Sequence, residues 1–264
     1  MLASNFRAGT LDAHITGSGR SIVFLHSLLS DRGSLEPIIP LLRSKFRLVL
    51  FDLPGFGNSD VCLDGLGAIA DRLAEGIRIA CPDERPLLFG NGYGAFVALA
   101  LAARHPDAVN GLFLAGCGAA FSEQGRQAFR VMAAKAKEGG LASIADIAMR
   151  RLFTSEMAAR FPDVVAERRS SFLATDPAVF SQACEALSTL DLRDEARKLR
   201  IPLLACAGSL DEATPPIMAE ELAELSPQGS CTIIADCAHV PTLQAPEQIA
   251  MAMQSFADEI QPSV

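Results

Sequence analysis

Six short stretches of this chain are apolar almost without interruption, and that limits the folds open to it. They are SIVFLH (21–26), FRLVLFD (46–52), RPLLFG (85–90), VNGLFLAG (109–116), IPLLACAG (201–208) and CTIIAD (231–236). A strand with one wet face alternates apolar and polar residues, whereas a strand of a parallel sheet covered on both faces has no need to. The runs are short and bounded by Gly and Pro, which favours strands over buried helix segments. Helical stretches lie between them. AFVALALAARHP (95–106), rich in Ala and Leu and closed by Pro106, is one. Strands separated by helices predict the α/β class, with an open, mostly parallel sheet.

The middle of the chain breaks this rhythm. From about Ala120 to Lys198 the pattern is helical, and the Thr-Asp-Pro of TDPAVFSQACEALSTLDL suits a helix start. A helical block between two strands of one sheet predicts a cap over the strand ends. The expected organisation is a core formed by residues 1–119 and 200–264 and a helical cap formed by 120–199.

Composition narrows the function. The chain has 264 residues, half of them hydrophobic, enough for one large core. A formal net charge of −8 argues against general affinity for nucleic acid or an anionic membrane. The absence of Trp and the single Tyr argue against a carbohydrate or base-stacking surface. Seven Cys with no C-x-x-C pair suggest reduced thiols and a cytoplasmic protein. MLASNFRAGT has no apolar run before its first charge, so no secretory signal is expected, and no stretch has the length of a membrane span. The four His, at 14, 26, 105 and 239, show no ligand spacing. No metal is expected, and with no Walker loop and no complete dinucleotide fingerprint, no cofactor. The expected partner is a small molecule; an oligomer is compatible with the sequence.

The chemistry gathers around FGNGYGAF (89–96), a strand running through a glycine-rich turn into a helix. Such a turn presents its central residue above the sheet, and Gly90 and Gly94 keep the strand–helix crossing free of side chains. The central residue is Gly92, which has no heteroatom to offer. Asp211 follows the run LLACAG, and His239 follows TIIADCA. Alone, the Asp reads as a helix cap and the His as structural. Together, each after an apolar run and in the order turn, Asp, His, they predict a shared site in which Asp211 orients His239 towards position 92. The loop HSLLSDRG, and the helix start at Tyr93, could each supply a backbone N–H to an oxyanion.

With these residues in view, the chain resembles the α/β-hydrolase superfamily over nearly its full length. FLHSLL resembles the family's oxyanion loop, FDLPGFGNSD (51–60) its Asp-x-Pro-Gly-x-Gly-x-Ser segment and GNGYG its nucleophile elbow. GSLDEATPP (208–216) resembles its acid loop and DCAHVPTLQAPEQIA (236–250) its histidine segment. The resemblance implies an eight-stranded sheet, Asp211 as the triad acid, His239 as its histidine, and Leu28 and Tyr93 as the two oxyanion amides. Within the superfamily, GGLASIADIAMRRLFT and SSFLATDPAVFSQACEALSTLDLRDE resemble the cap of the 3-oxoadipate enol-lactonase-like group, which implies hydrolysis of a small carboxylated lactone.

Two positions depart from that pattern. Gly92 stands where the family places its nucleophile, and Ser27 stands where its oxyanion loop has glycine, so that a side chain can project into the substrate pocket. Three accounts of Gly92 are open. A nucleophilic serine was replaced; the protein is a natural ligand-binding homologue; or His239 activates a water in the volume a serine would have filled. Cys117, at the end of its strand, is an alternative nucleophile or buried filler. The segment carries Arg126, Arg130, Arg150, Arg151, Arg168 and Arg169. Most are expected on solvated helix faces, with Arg150 and Arg151 the first candidates to turn inward and hold a substrate carboxylate.

Overall fold

A computed structural model describes residues 4–260. Its eight strands are β1 (Ser4–Ala8), β2 (Leu11–Gly17), β3 (Ser21–Leu25), β4 (Arg47–Phe51), β5 (Leu87–Asn91), β6 (Gly111–Ala115), β7 (Leu203–Gly208) and β8 (Gly229–Ile234). They form one sheet in the order β1-β2-β4-β3-β5-β6-β7-β8. The six strands β3 to β8 match the six apolar runs and pair in parallel. The remaining two, β1 and β2, are an antiparallel hairpin carried on β4.

The apolar runs are continuous because the sheet is covered twice. Val23, Leu25, Leu88, Leu112 and Leu114 face one core cluster, while Ile22, Phe24, Leu87, Phe89, Phe113 and Ala115 face the other. On the first side the helix Tyr93–Arg104 is buried from Tyr93 to Ala102, which explains its lack of charged residues before Arg104. On the second, Ile249, Met253 and Phe256 of the helix Pro246–Glu259 pack under β3 to β6.

The strand order places the site. The chain passes from β3 to a neighbour on one side, β4, and then returns across β3 to β5 on the other. The loops leaving the carboxyl ends of β3 and β5 therefore part in opposite directions, and such a switch point opens a crevice. Over it lies the helical cap. Between β6 and β7 the chain runs through helices from Glu123 to Lys198, with no strand among them. Its two ends are pinned side by side by an Ala120–Asp191 bridge and the Leu192 N–H donating to Ala119 O at 2.8 Å. A further tie to the crevice is Arg168, a buried cap residue paired with Asp31 in the loop after β3. No described helix is long and apolar enough to cross a membrane.

Candidate active site

Gly92 caps the carboxyl end of β5 with φ 54° and ψ −118°, conformations that side-chain-bearing residues occupy only under strain. The flanking glycines are required by close approach. A Cβ on Gly90 would stand 2.4 Å from Gly94 O, and one on Gly94 would stand 2.6 Å from His26 O and Leu25 O. The turn is thus pressed between its own helix and the end of β3, and it holds Gly92 at the head of the crevice.

His239 lies in the loop that follows β8, and Asp211 in the loop that follows β7. Both are buried. His239 Nδ1 lies 2.9 Å from Asp211 Oδ2. The carboxylate also accepts from the amides of Ala213 (2.8 Å) and Thr214 (3.0 Å) and from Thr214 Oγ1 (2.7 Å). Burial alone would raise the Asp211 pKa. The facing His239, and the hydrogen bonds from His239 and Thr214, outweigh it and hold the carboxyl below its ordinary value. An anionic partner at Nδ1 keeps the proton there and leaves Nε2 free to take another. Nε2 is the nitrogen that faces the elbow: a Cβ added to Gly92 would lie 2.8 Å from it. Asn91 fixes the loop, its Nδ2 donating to His239 O at 3.0 Å and Ala115 O at 3.2 Å.

His26 sets the opposite wall. Its Nδ1 meets the Ser27 carbonyl at 2.9 Å and its Nε2 the Leu53 amide at 3.1 Å. A carbonyl only accepts and an amide only donates, so the ring carries its proton on Nδ1 and is neutral. Burial, the largest influence on it, lowers its pKa to about 4, so it stays neutral at physiological pH. Because the Ser27–Leu28 peptide is trans and planar, holding Ser27 O against His26 turns the Leu28 N–H to the other side. The Tyr93 N–H, first in its helix, has no intrahelical acceptor. Neither amide finds an acceptor among the described residues, and both residues line the cavity above Gly92.

That cavity is narrow, about 40 Å³. Its floor is Ser27, Leu28, Gly92, Tyr93 and His239; the cap contributes Phe129, Met132, Arg151 and Leu187. The walls are mainly apolar, with few polar groups, as in sites that hold small organic ligands.

The sequence-predicted residues thus meet, with one correction. Arg150 is exposed and does not line the cavity, whereas Arg151 does. Consecutive helix residues project about 100° apart, so only one of the pair can face inward. Arg151 lies over the Phe129 ring at 5.9 Å and makes no ion pair with any described residue. Burial lowers its pKa. Four other arginines of the segment are engaged. Arg126 donates to Phe121 O and Leu190 O, and Arg130, Arg168 and Arg169 pair with Glu123, Asp31 and Asp146. Beside His239, a Cβ on Gly92 would stand 2.4 Å from Ser27 Oγ, so the Ser27 hydroxyl borders the volume a larger residue would fill. Cys117 is fully buried and absent from the cavity lining, and burial pushes its thiol up to about 12. The supporting roles of Thr214, Asn91 and His26 were not read from the sequence. The one available signal was a Thr three residues after Asp211, a spacing typical of side-chain-stabilised turns.

Comparison with known proteins identifies the fold. A family model described as the alpha/beta hydrolase fold matches residues 20–246. The chain is 28% identical to 3-oxoadipate enol-lactonase 1 of Acinetobacter baylyi (strain ATCC 33305 / BD413 / ADP1), over 99% of this chain and 98% of that protein. It is 30% identical to a pimeloyl-acyl-carrier-protein methyl ester esterase of Edwardsiella ictaluri (strain 93-146), over 93% of this chain and 96% of that one. Among solved structures, an enol-lactonase from Burkholderia xenovorans LB400 superimposes with a TM-score of 0.86 at 26% identity, covering 97% of this chain and 100% of the other.

Proposed function

The chain belongs to the alpha/beta hydrolase fold family, among its carboxylic ester and lactone hydrolases, and on that premise we propose that its substrate is a small ester or lactone bearing a carboxylate. The observation that carries the reading is the buried Asp211–His239 pair, whose free Nε2 faces the head of a crevice lined by two unengaged amides. In this reading residues 120–199 are the cap, and 1–119 with 200–264 the core. The scissile carbonyl sits with its oxygen towards the Leu28 and Tyr93 amides, which stabilise the negative charge that develops there. His239 moves the proton, and Asp211 stabilises the imidazolium that forms. The apolar walls take the body of the substrate. Arg151, without a carboxylate of its own, receives the substrate's carboxylate. The likeness to an enol-lactonase supports a carboxylated lactone; the likeness to a methyl ester esterase supports an ester.

Gly92 offers no atom for a covalent bond at the elbow. A ligand-binding protein with no turnover is therefore the second reading, and the two separate in one assay. Purified protein is offered activated esters and carboxylated lactones beside matched neutral analogues, and compared with His239→Ala at the same pH. Hydrolysis lost with His239 in a folded variant supports the hydrolase. Background rates in both, with saturable carboxylate binding, support the binder. Arg151→Ala should weaken binding of the carboxylated compound about tenfold or more, and that of the neutral one much less, the size of a lost charge-assisted hydrogen bond. Arg150→Ala should change neither. Equal losses for the two compounds in Arg151→Ala would refute the assignment of the carboxylate to Arg151.

A further inference from the structure

A hydroxyl from another strand's loop crowds the place where an elbow side chain would begin. Ser27 follows β3 and is 2% exposed, yet it lines the cavity. A Cβ placed on Gly92 would be 2.4 Å from Ser27 Oγ and 2.8 Å from His239 Nε2. The hydroxyl and the unprotonated nitrogen therefore flank one point, at the head of the crevice. Ser27 Oγ makes no hydrogen bond with any described residue. Buried serine hydroxyls normally find a backbone acceptor, and the other hydroxyl at hand, Thr214 Oγ1, is committed to Asp211. The hydroxyls of Ser30, Ser181 and Thr242 are buried without a partner, but none of them lines the cavity.

We propose that the nucleophile of this site is Ser27 Oγ, supplied by the loop after β3, and that Gly92 is the vacancy that admits it. The assignment rests on the hydrolase reading above. As the substrate's carbonyl carbon approaches, Ser27 Oγ forms the new C–O bond and its proton passes to His239 Nε2. Collapse of the tetrahedral intermediate breaks the bond to the alcohol oxygen, which takes that proton from His239; in a lactone the alcohol stays tethered to the acyl group. Water then attacks the acyl-Ser27 ester, giving its proton to His239. Ser27 Oγ leaves, recovers the proton and frees the carboxylic acid. The oxyanion donors stay the same but exchange parts. Leu28 becomes the residue that follows the nucleophile, and Tyr93 supplies the amide from the facing loop. A side chain at position 92 would contest the space of the Ser27 hydroxyl, which ties the two unusual residues together.

The test is to treat the unaltered protein with a fluorophosphonate and, separately, with a p-nitrophenyl ester of a short acid, and to map any adduct by peptide mass spectrometry. The expected adduct is on Ser27, with one group per chain. It should be absent in His239→Ala. Hydrolysis should fall by about a thousandfold or more in Ser27→Ala, as for loss of a serine nucleophile elsewhere. Ser27→Cys should move acylation onto its thiol, a rescue that a merely structural serine would not give. An adduct on another residue, hydrolysis without any covalent adduct, or wild-type rates in Ser27→Ala would each overturn the proposal. Mapping on the unaltered protein does not depend on whether a variant folds. The two levels separate cleanly: hydrolysis that requires His239 but not Ser27 removes only this assignment, whereas an unaltered protein no faster than His239→Ala removes the hydrolase reading with it.

Discussion

Placing a serine at the elbow tests the packing of this site without reference to activity. In Gly92→Ser the new residue must hold φ 54°, a conformation that costs a side-chain-bearing residue about 1–3 kcal/mol. Replacing glycine also stiffens the unfolded chain, which returns about 0.4–1 kcal/mol. The contacts come on top. Ser27 Oγ, 2.4 Å from the new Cβ, can rotate away, but His239 Nε2, at 2.8 Å, is tethered through Nδ1 to Asp211 and has little room to retreat. Overpacking of this kind costs about 1–3 kcal/mol. The sum is a destabilisation of about 1–6 kcal/mol, and at about 2–4 °C per kcal/mol for a chain near this size the melting temperature should fall by about 2–20 °C. Adding Ser27→Gly removes one of the colliding groups. The double variant should regain about 1 kcal/mol relative to the sum of the single changes, a coupling expected only between residues in contact. Thermal and urea unfolding of the four proteins in the cycle measures this. If Gly92→Ser melts with the unaltered protein, or if the two changes add without coupling, the claim that Ser27 crowds the elbow volume is wrong.

Further expectations concern ionisation and access. Burial raises the Asp52 pKa from 3.8 to about 6, outweighing the attraction of Arg32 3.5 Å away, with Asp12 adding repulsion. Across that window the folded protein holds more protons on this group than the unfolded chain does. Its contribution to stability therefore falls as pH rises through the window, and is recovered on acidification. Urea midpoints measured from pH 4 to pH 7 should lose this slope in Asp52→Asn, and an unchanged slope would count against it. Of the seven cysteines only Cys231 is exposed, so a thiol reagent should modify one group in the native protein and all seven after denaturation; rapid native modification of Cys117 would contradict its burial.

How much of this was legible beforehand follows from how locally each feature is encoded. Strands β3 to β8 could be read because burial on both faces leaves its mark on nearly every residue of the central ones. The hairpin of β1 and β2 could not be picked out from its own residues. β1 is largely exposed, and β2 carries Asp12, His14 and Thr16 among its apolar positions, so neither looks like the continuous runs that follow. Asp211, His239 and the glycine turn could be found one by one, since each closes a recognisable strand, and their order suggested a common site. That Thr214 would share the Asp211 carboxylate, or that His26 would orient the Leu28 amide, depends on side-chain directions that only the folded loops establish. The same holds for the two adjacent arginines, identical in the sequence and separated by the rotation of one helix. Residues 27 and 92 each stood out from the chain alone as a departure from the expected pattern. Only the sheet, by setting β3 beside β5, put the hydroxyl of one beside the other, because that contact joins positions 65 residues apart through strand pairing rather than through any local pattern.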